Sequence, residues 1–263
     1  DDSGALTNGS GCGNDVATER PMVRKFIVDS VKYWASEYNL DGFRFDLMGL
    51  MDIQTINEVT SALKVIDPTI IVIGEGWEMG TLAKDLRASQ TNISKLNNVA
   101  HFNDQIRDGL KGSVFKASDT GWATGKLSAV GDIKPGIVGN STYNPMFLNA
   151  WNTTAPTQSV NYVESHDNLT LADKLKASVK GISPSGIAQL SQFATSVAFL
   201  SQGVPFMQAG QEFLRSKNGD DNSYKSDDAT NSLKWSTKLK YSSTVNYYKG
   251  LIALRAAHPA FRM

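Results

Sequence analysis

The sequence predicts an α/β fold, a parallel sheet with helices packed outside it. Three observations predict it. Amphipathic helical stretches alternate with short apolar runs, the pattern of strands joined by helical crossovers. The run "IIVIG" is β-branched and apolar throughout, as a buried strand is. Finally, the strands end in acids, Asp46, Glu75, Asp104, Asp167 and Glu212. The C-terminal strand ends are where a (β/α)8 barrel carries its active-site face.

The elements follow in order. "ERPMVRKFIVDSVKYWASEYN" (19–39) is a helix with Val23, Phe26, Ile27, Val31, Trp34 and Tyr38 on one apolar stripe. Pro21 suits its first turn. "LDGFRFDLMG" (40–49) is a strand, with Arg44 and Asp46 facing one way and Phe43, Phe45 and Leu47 the other. Asp52 caps a second helix with Ile53, Ile56, Val59 and Leu63 inward. "IIVIGEGW" (70–77) and "NVAHFND" (98–104) are the next strands. The Gly/Asn/Thr-rich stretch 110–158 reads as short helices and loops, a length that is often functional. "SVNYVESHD" (159–167) is a fourth strand, 186–200 an apolar helix, and "GVPFMQAG" (203–210) a fifth strand. A polar loop (214–232) and a helix (243–259) close the chain. No repeat, low-complexity tract or linker divides it, so residues 1–263 read as a single segment.

Composition excludes several functions. Lys+Arg and Asp+Glu are 26 each, so no net charge draws the chain to nucleic acid or an anionic membrane. No run reaches the roughly 18 apolar residues of a membrane span. The single Cys12 makes no internal disulfide. One Cys and three His are too few soft ligands for a structural zinc site. The opening "DDSGALTNGSGCGND" has no signal-peptide pattern.

The acids carry the chemistry. Arg44 and Asp46 are either a structural ion pair or a nucleophilic carboxylate kept ionised by its neighbouring cation. Glu75, flanked by glycines at the end of an apolar strand, is costly unless paired or used. It is a capping or loop carboxylate, or a general acid with a pKa raised beside Trp77. "ESHDN" supplies His166 and Asp167. No G-x-S-x-G elbow supports a serine triad, and further His ligands for a metal are lacking. A third carboxylate beside a neutral His donor fits a sugar site better. Two carboxylates suffice for glycosidic hydrolysis, one attacking or activating water and one protonating the leaving oxygen. Trp77, Tyr143, Trp151 and Tyr224, where exposed, are surfaces on which sugar rings stack, although most Trp and Tyr are simply core.

"DGFRFDLMG", "GEGW" and "VNYVESHDN" resemble three signature regions of the α-amylase clan of glycoside hydrolases. The wording of "ERPMVRKFIVDSVKYW" and "LSQGVPFMQAGQEFLRSKNGDDNSYKSDD" is similar to the type I pullulanase family within that clan. The resemblance implies retaining cleavage of α-1,6 branches in pullulan, starch or glycogen-like α-glucans. It implies Asp46 as nucleophile, Glu75 as acid/base and Asp167 as the third acid, which binds sugar hydroxyls. Arg44 would orient the nucleophile and His166 would hydrogen-bond the sugar. Trp77, Met48 and Asn168 adjoin these as further substrate-binding positions. The retaining mechanism sets the two carboxyls roughly 5–5.5 Å apart. Another clan activity, glycogen-debranching or α-1,4-acting, and a non-catalytic glucan-binding fragment are the alternatives.

The resemblance also implies a partial (β/α)8 TIM-type barrel, strands 4 to 8 with their helices. The first strands, their Asn-His signature, the "YNWGYDP" segment and a C-terminal β-sandwich are missing. The chain alone would then associate through its exposed sheet edges or rearrange, or pair with the missing amino-terminal half. The partner is an α-glucan, with no nucleic acid and no membrane. No cofactor is required. "NGDDNS" (218–223) is rich in oxygen ligands but lacks the downstream Glu of an EF-hand, so it reads as a solvated turn, with calcium the alternative. The family includes secreted, surface-anchored and intracellular members; an extracellular or cell-surface location is favoured, with the cytoplasm the alternative.

Overall fold

Pro21 brings a fixed φ and no N–H, which suits a first helical turn. The helix α1 runs Pro21–Tyr38 in the computed structural model, which describes residues 3–142 and 150–262. Asn39 stops it at φ 52°, a left-handed turn that Asn tolerates. The chain forms two compact units, Asp1–Phe102 with Trp151–Gln158, and Asn103–Ala150 with Ser159–Met263.

In the first unit, α1 is followed by β1 (Gly42–Phe45), α2 (Ile53–Ile66), β2 (Ile71–Gly74) and β3 (Val99–Phe102). β1 pairs with β2 in parallel, Gly42 opposite Ile71 and Phe45 opposite Gly74; β2 pairs in parallel with β3, Gly74 opposite His101. The expected cap of α2 is present. The Asp52 carboxylate accepts the Thr55 N–H at 2.9 Å and the Arg24 guanidinium at 3.0 Å, tying α1 to α2. Val31 and Ala35 of α1 join Ile56, Val59 and Leu63 of α2, Val72 and Val99 in one core. The predicted stripe on α1 is wider than what covers it. Phe26, Trp34 and Tyr38 are exposed, and only Val31 among the six is buried.

In the second unit, α3 (Asp104–Lys111) is capped by Asn103, whose side chain accepts the Ile106 N–H at 3.2 Å. Then come α4 (Val130–Ile137), β4 (Ser159–Asn161), α5 (Leu171–Ser178), α6 (Pro184–Leu200), β5 (Val204–Pro205), α7 (Asp228–Asn231), α8 (Thr237–Lys240) and α9 (Ser242–Ala257). β4 and β5 are parallel, Val160 opposite Val204. Ile106, Leu110, Ile133, Val163, Leu171, Leu175, Ala194, Ala198 and Leu251 form the core.

The alternation of parallel strands and helices is that of the predicted α/β class. The strands are shorter than predicted. β1 stops at Phe45 because Leu47 turns into the left-handed region, φ 46° and ψ 40°, and β5 ends at Pro205, which has no N–H to donate. The helix α5 was not expected. No helix among the described residues is long and apolar enough to cross a membrane.

Candidate active site

The turn after β1 builds the first half of the site. A side-chain-bearing residue at Leu47's left-handed φ costs about 1–2 kcal/mol. The cost is offset by what the turn secures, since the Leu47 N–H reaches the Glu75 Oε2 at 3.0 Å. The Gly49 N–H donates to the Glu75 carbonyl at 2.8 Å, and the Glu75 N–H donates to the Phe45 carbonyl at 3.2 Å. Glu75 is thus held through both backbone and side chain against the end of β1.

Arg44 links the two acids of this unit. Its Nη2 lies 2.7 Å from Glu75 Oε1, and its Nη1 pairs with the Asp46 carboxylate. Its guanidinium sits 5.5 Å from the Phe102 ring centroid, a cation–π contact from β3 that fixes its height. Glu75 is 6% exposed, whereas the Asp46 side chain is 68% exposed. A carboxylate oxygen of Asp46 lies within 4.8 Å of one of Glu75. In retaining glycosidases generally, the two carboxyls are roughly 5–5.5 Å apart and one attacks carbon directly.

The glycines flanking Glu75 answer to close packing by protein. A Cβ on Gly74 would lie 2.2 Å from the Met48 Cε, and one on Gly76 would lie 2.5 Å from the His101 ring. His101 is fully buried, its Nδ1 3.3 Å from the Gly74 carbonyl and its ring edge-on to Trp151. Burial pushes its imidazole down to about 4, so it is neutral at pH 7.

The remaining positions separate. Met48 is completely buried in the first core and offers no surface to a ligand. Its side chain fills the space that Gly74 leaves. Trp77 is half-buried just after Gly76. Of the two readings open to Trp151, stacking surface or core, the structure takes the second: it is buried in the first core. Tyr143 lies outside the described residues. Tyr224 is 74% exposed, with the Lys225 ammonium 5.1 Å from its ring centroid.

In the second unit, buried Tyr162, Val163 and Glu164 lead from β4 into a loop that presents His166 and Asp167. Their side chains lie side by side, Nε2 to Oδ1 at 3.5 Å, and Asn168 takes φ 64°. His166 and Asp167 line a cleft of about 240 Å³ with Gln208, Arg215, Lys217 and Tyr224. Gln208, Arg215 and Lys217 were not picked out from sequence. The signal was a pair of cations interrupting the polar run "LRSKNGDDNS".

The other strand-end acids serve local structure. Asp104 lies in the first turn of α3, and Glu212 accepts the Gly210 N–H at 3.0 Å. In "NGDDNS", Asp220 accepts the Ser226 hydroxyl at 2.5 Å and the Asn222 N–H at 2.9 Å, which hold its carboxyl below the usual range. Each of its two oxygens thus accepts one hydrogen bond from within the turn.

The profile of the alpha-amylase catalytic domain matches residues 8–243. Pullulanase from Bacillus subtilis (strain 168) is 42% identical over 264 residues, covering 100% of this chain and 36% of that protein. Pullulanase 1, chloroplastic, from Arabidopsis thaliana is 33% identical, covering 93% of this chain and 30% of that protein. Among solved structures, a mutant pullulanase from Paenibacillus barengoltzii complexed with maltotetraose matches with TM-score 0.95 and 44% identity, over 100% of this chain and 41% of that one. Pullulanase type I from Bacillus subtilis str. 168 complexed with maltose matches with TM-score 0.93 and 41% identity, over 100% of this chain and 37% of that one. The fold class is therefore that of a partial (β/α)8 barrel. The chain spans about a third of the length of these curated relatives.

Proposed function

The chain belongs to the alpha-amylase family of catalytic domains, and from that premise we propose that it carries the chemistry of a retaining hydrolase of α-1,6 branches in α-glucans. The observation that carries the proposal is Arg44, bonded at once to an exposed Asp46 and a buried Glu75 whose oxygens lie within 4.8 Å.

In the proposed reaction the Asp46 carboxylate attacks the anomeric carbon. Glu75, as the general acid, gives a proton to the glycosidic oxygen, which leaves as the 6-hydroxyl of the acceptor sugar. A glucosyl ester on Asp46 results, with inverted configuration. Glu75, now the base, takes a proton from water as the water attacks the same carbon. The second inversion releases an α-configured sugar, frees Asp46 and returns the proton to Glu75. Arg44 aims Asp46 and favours its anionic form. By its motif, Asp167 is assigned to the sugar hydroxyls, with His166 as a neighbouring donor. Trp77 and Asn168 are assigned to the sugar's borders, and Met48 to the packing beneath.

The substrate is proposed to be a branched α-glucan, which agrees with the maltooligosaccharides bound by the solved relatives. Residues 1–263 are proposed to act as one segment of the catalytic barrel. The exposed apolar residues of α1 are proposed to be covered, either by another copy or by polypeptide such as the relatives carry outside the matched span.

The test is hydrolysis of pullulan, with Asp46→Ala as control and product sizing. Maltotriose that disappears in the variant supports α-1,6 cleavage through Asp46. Panose would instead assign α-1,4 cleavage. Glucan binding without turnover would leave a binding segment only.

A further inference from the structure

Glu164 is a buried acid for which the reaction above has no use. It is 1% exposed, two residues before His166 and three before Asp167. Its Oε2 accepts the N–H of Leu171, the first residue of α5, at 2.7 Å. The carboxylate therefore bridges the two ends of the loop 165–170, which presents His166 and Asp167. Its Oε1 is buried and takes no hydrogen bond among the described residues. Such an oxygen is costly to bury. The charges of Lys111 from α3 and of Arg215 and Lys217 from the segment after β5 act on it. Burial raises the Glu164 carboxyl, and the cations act the other way.

A second set of hydrogen bonds ties the loop as well. Asp173 of α5 accepts the Ser216 hydroxyl at 2.6 Å, the Lys217 N–H at 2.8 Å and the Gly219 N–H at 3.2 Å. Lys217, so anchored, is 4% exposed, and its Nζ donates to the His166 carbonyl at 3.2 Å. Hydrogen bonds thus run from Glu164 to α5, from α5 to residues 216–219, and from Lys217 back to His166. His166 and Asp167 themselves remain exposed at the top of this closed circuit.

We propose that Glu164 is a positioning residue for Asp167: it sets the span of the loop 165–170 by holding the first amide of α5, while Lys217 holds the same loop at the His166 carbonyl. The proposal rests on the assignment of Asp167 as the third acid of glucan hydrolysis. An acid that acts on the transition state must be placed closely, and a misplacement of about 1 Å costs on the order of 10²-fold in rate. Glu164 touches no substrate in this scheme.

The test compares the native chain with Glu164→Ala, Glu164→Gln and Lys217→Met. With three histidines in the chain, the imidazole NMR signals of His101, His166 and His258 are separable. In Glu164→Ala the His166 signals should move while those of His258 stay. Glu164→Gln, which keeps an oxygen for the Leu171 N–H, should restore them. On pullulan, Glu164→Ala should lower kcat by roughly 10- to 100-fold with KM changed by less than about 3-fold, and Glu164→Gln should recover most of it. His166 signals unmoved in Glu164→Ala would overturn the proposal. So would a loss of kcat no larger than the unfolded fraction read from melting. Should Glu164→Ala not fold, Lys217→Met decides: a folded variant with unmoved His166 signals overturns the circuit. Should the native chain not hydrolyse pullulan, the functional reading fails on its own, and the His166 signals still decide whether Glu164 sets the loop.

Discussion

At the scale of the residue, one guanidinium organises the acids of the first unit. Arg44 presents two nitrogens, one to Asp46 and one to Glu75, and lies over Phe102. A lysine carries the charge but not the planar fork. Arg44→Lys should therefore keep the fold and lower kcat on pullulan by about 10²-fold, the cost of losing one preorganised donor, as steady-state assays would show. His101 offers a pH test. Its folded imidazole titrates at about 4 against 6.5 in the unfolded chain. Between those values the unfolded state binds the extra proton, so stability is whole above 6.5 and is lost as pH falls toward 4. At 1.36 kcal/mol per pH unit the full loss is about 3 kcal/mol. His101→Gln should flatten this acid slope in urea unfolding at pH 7 and pH 4.5; an unchanged slope would mean another group sets it. Arg44, Asp46 and Glu75 were legible because charge is unusual at the end of an apolar strand. Trp151 was not, because an aromatic reads alike whether it faces a sugar or a core.

At the scale of the element, caps and periods were readable, while buried polar residues misled. Asp52 sits before an apolar period of 3.6 and caps α2 as anticipated, and it also receives Arg24. Asp52→Ala should lower stability by about 2 kcal/mol, measured by chemical denaturation, since both a cap and a partner for the half-buried Arg24 are lost. The helix α5 shows the converse. Its Asp173 and Lys174 are buried, so the polar face of "LADKLKAS" does not mark the solvent side. Lys174 lies inside because its ammonium donates to the carbonyls of Ser113, Lys116 and Ala117. Those partners lie about sixty residues away in the chain, beyond the reach of any local pattern.

At the scale of the whole molecule, equal numbers of acids and bases leave little electrostatic repulsion between copies. With Met22, Phe26, Trp34 and Tyr38 exposed on α1, the chain should associate as its concentration rises, seen by sedimentation velocity at neutral pH. Phe26→Ser combined with Trp34→Ser should shift it toward monomer; a monomer at all concentrations would leave that surface without the assigned role. The alternation of strands and helices, the helix starts and the motifs bearing Asp46, Glu75 and Asp167 were determined by the sequence itself, because spacing and capping act between residues near in the chain. Tertiary structure alone decided that Met48 and Trp151 are core, that Arg44 spans both acids, and that Glu164 and Lys217 hold the loop of Asp167. Burial and pairing depend on which distant residues arrive, and a buried charge is settled by the partners that the fold brings to it.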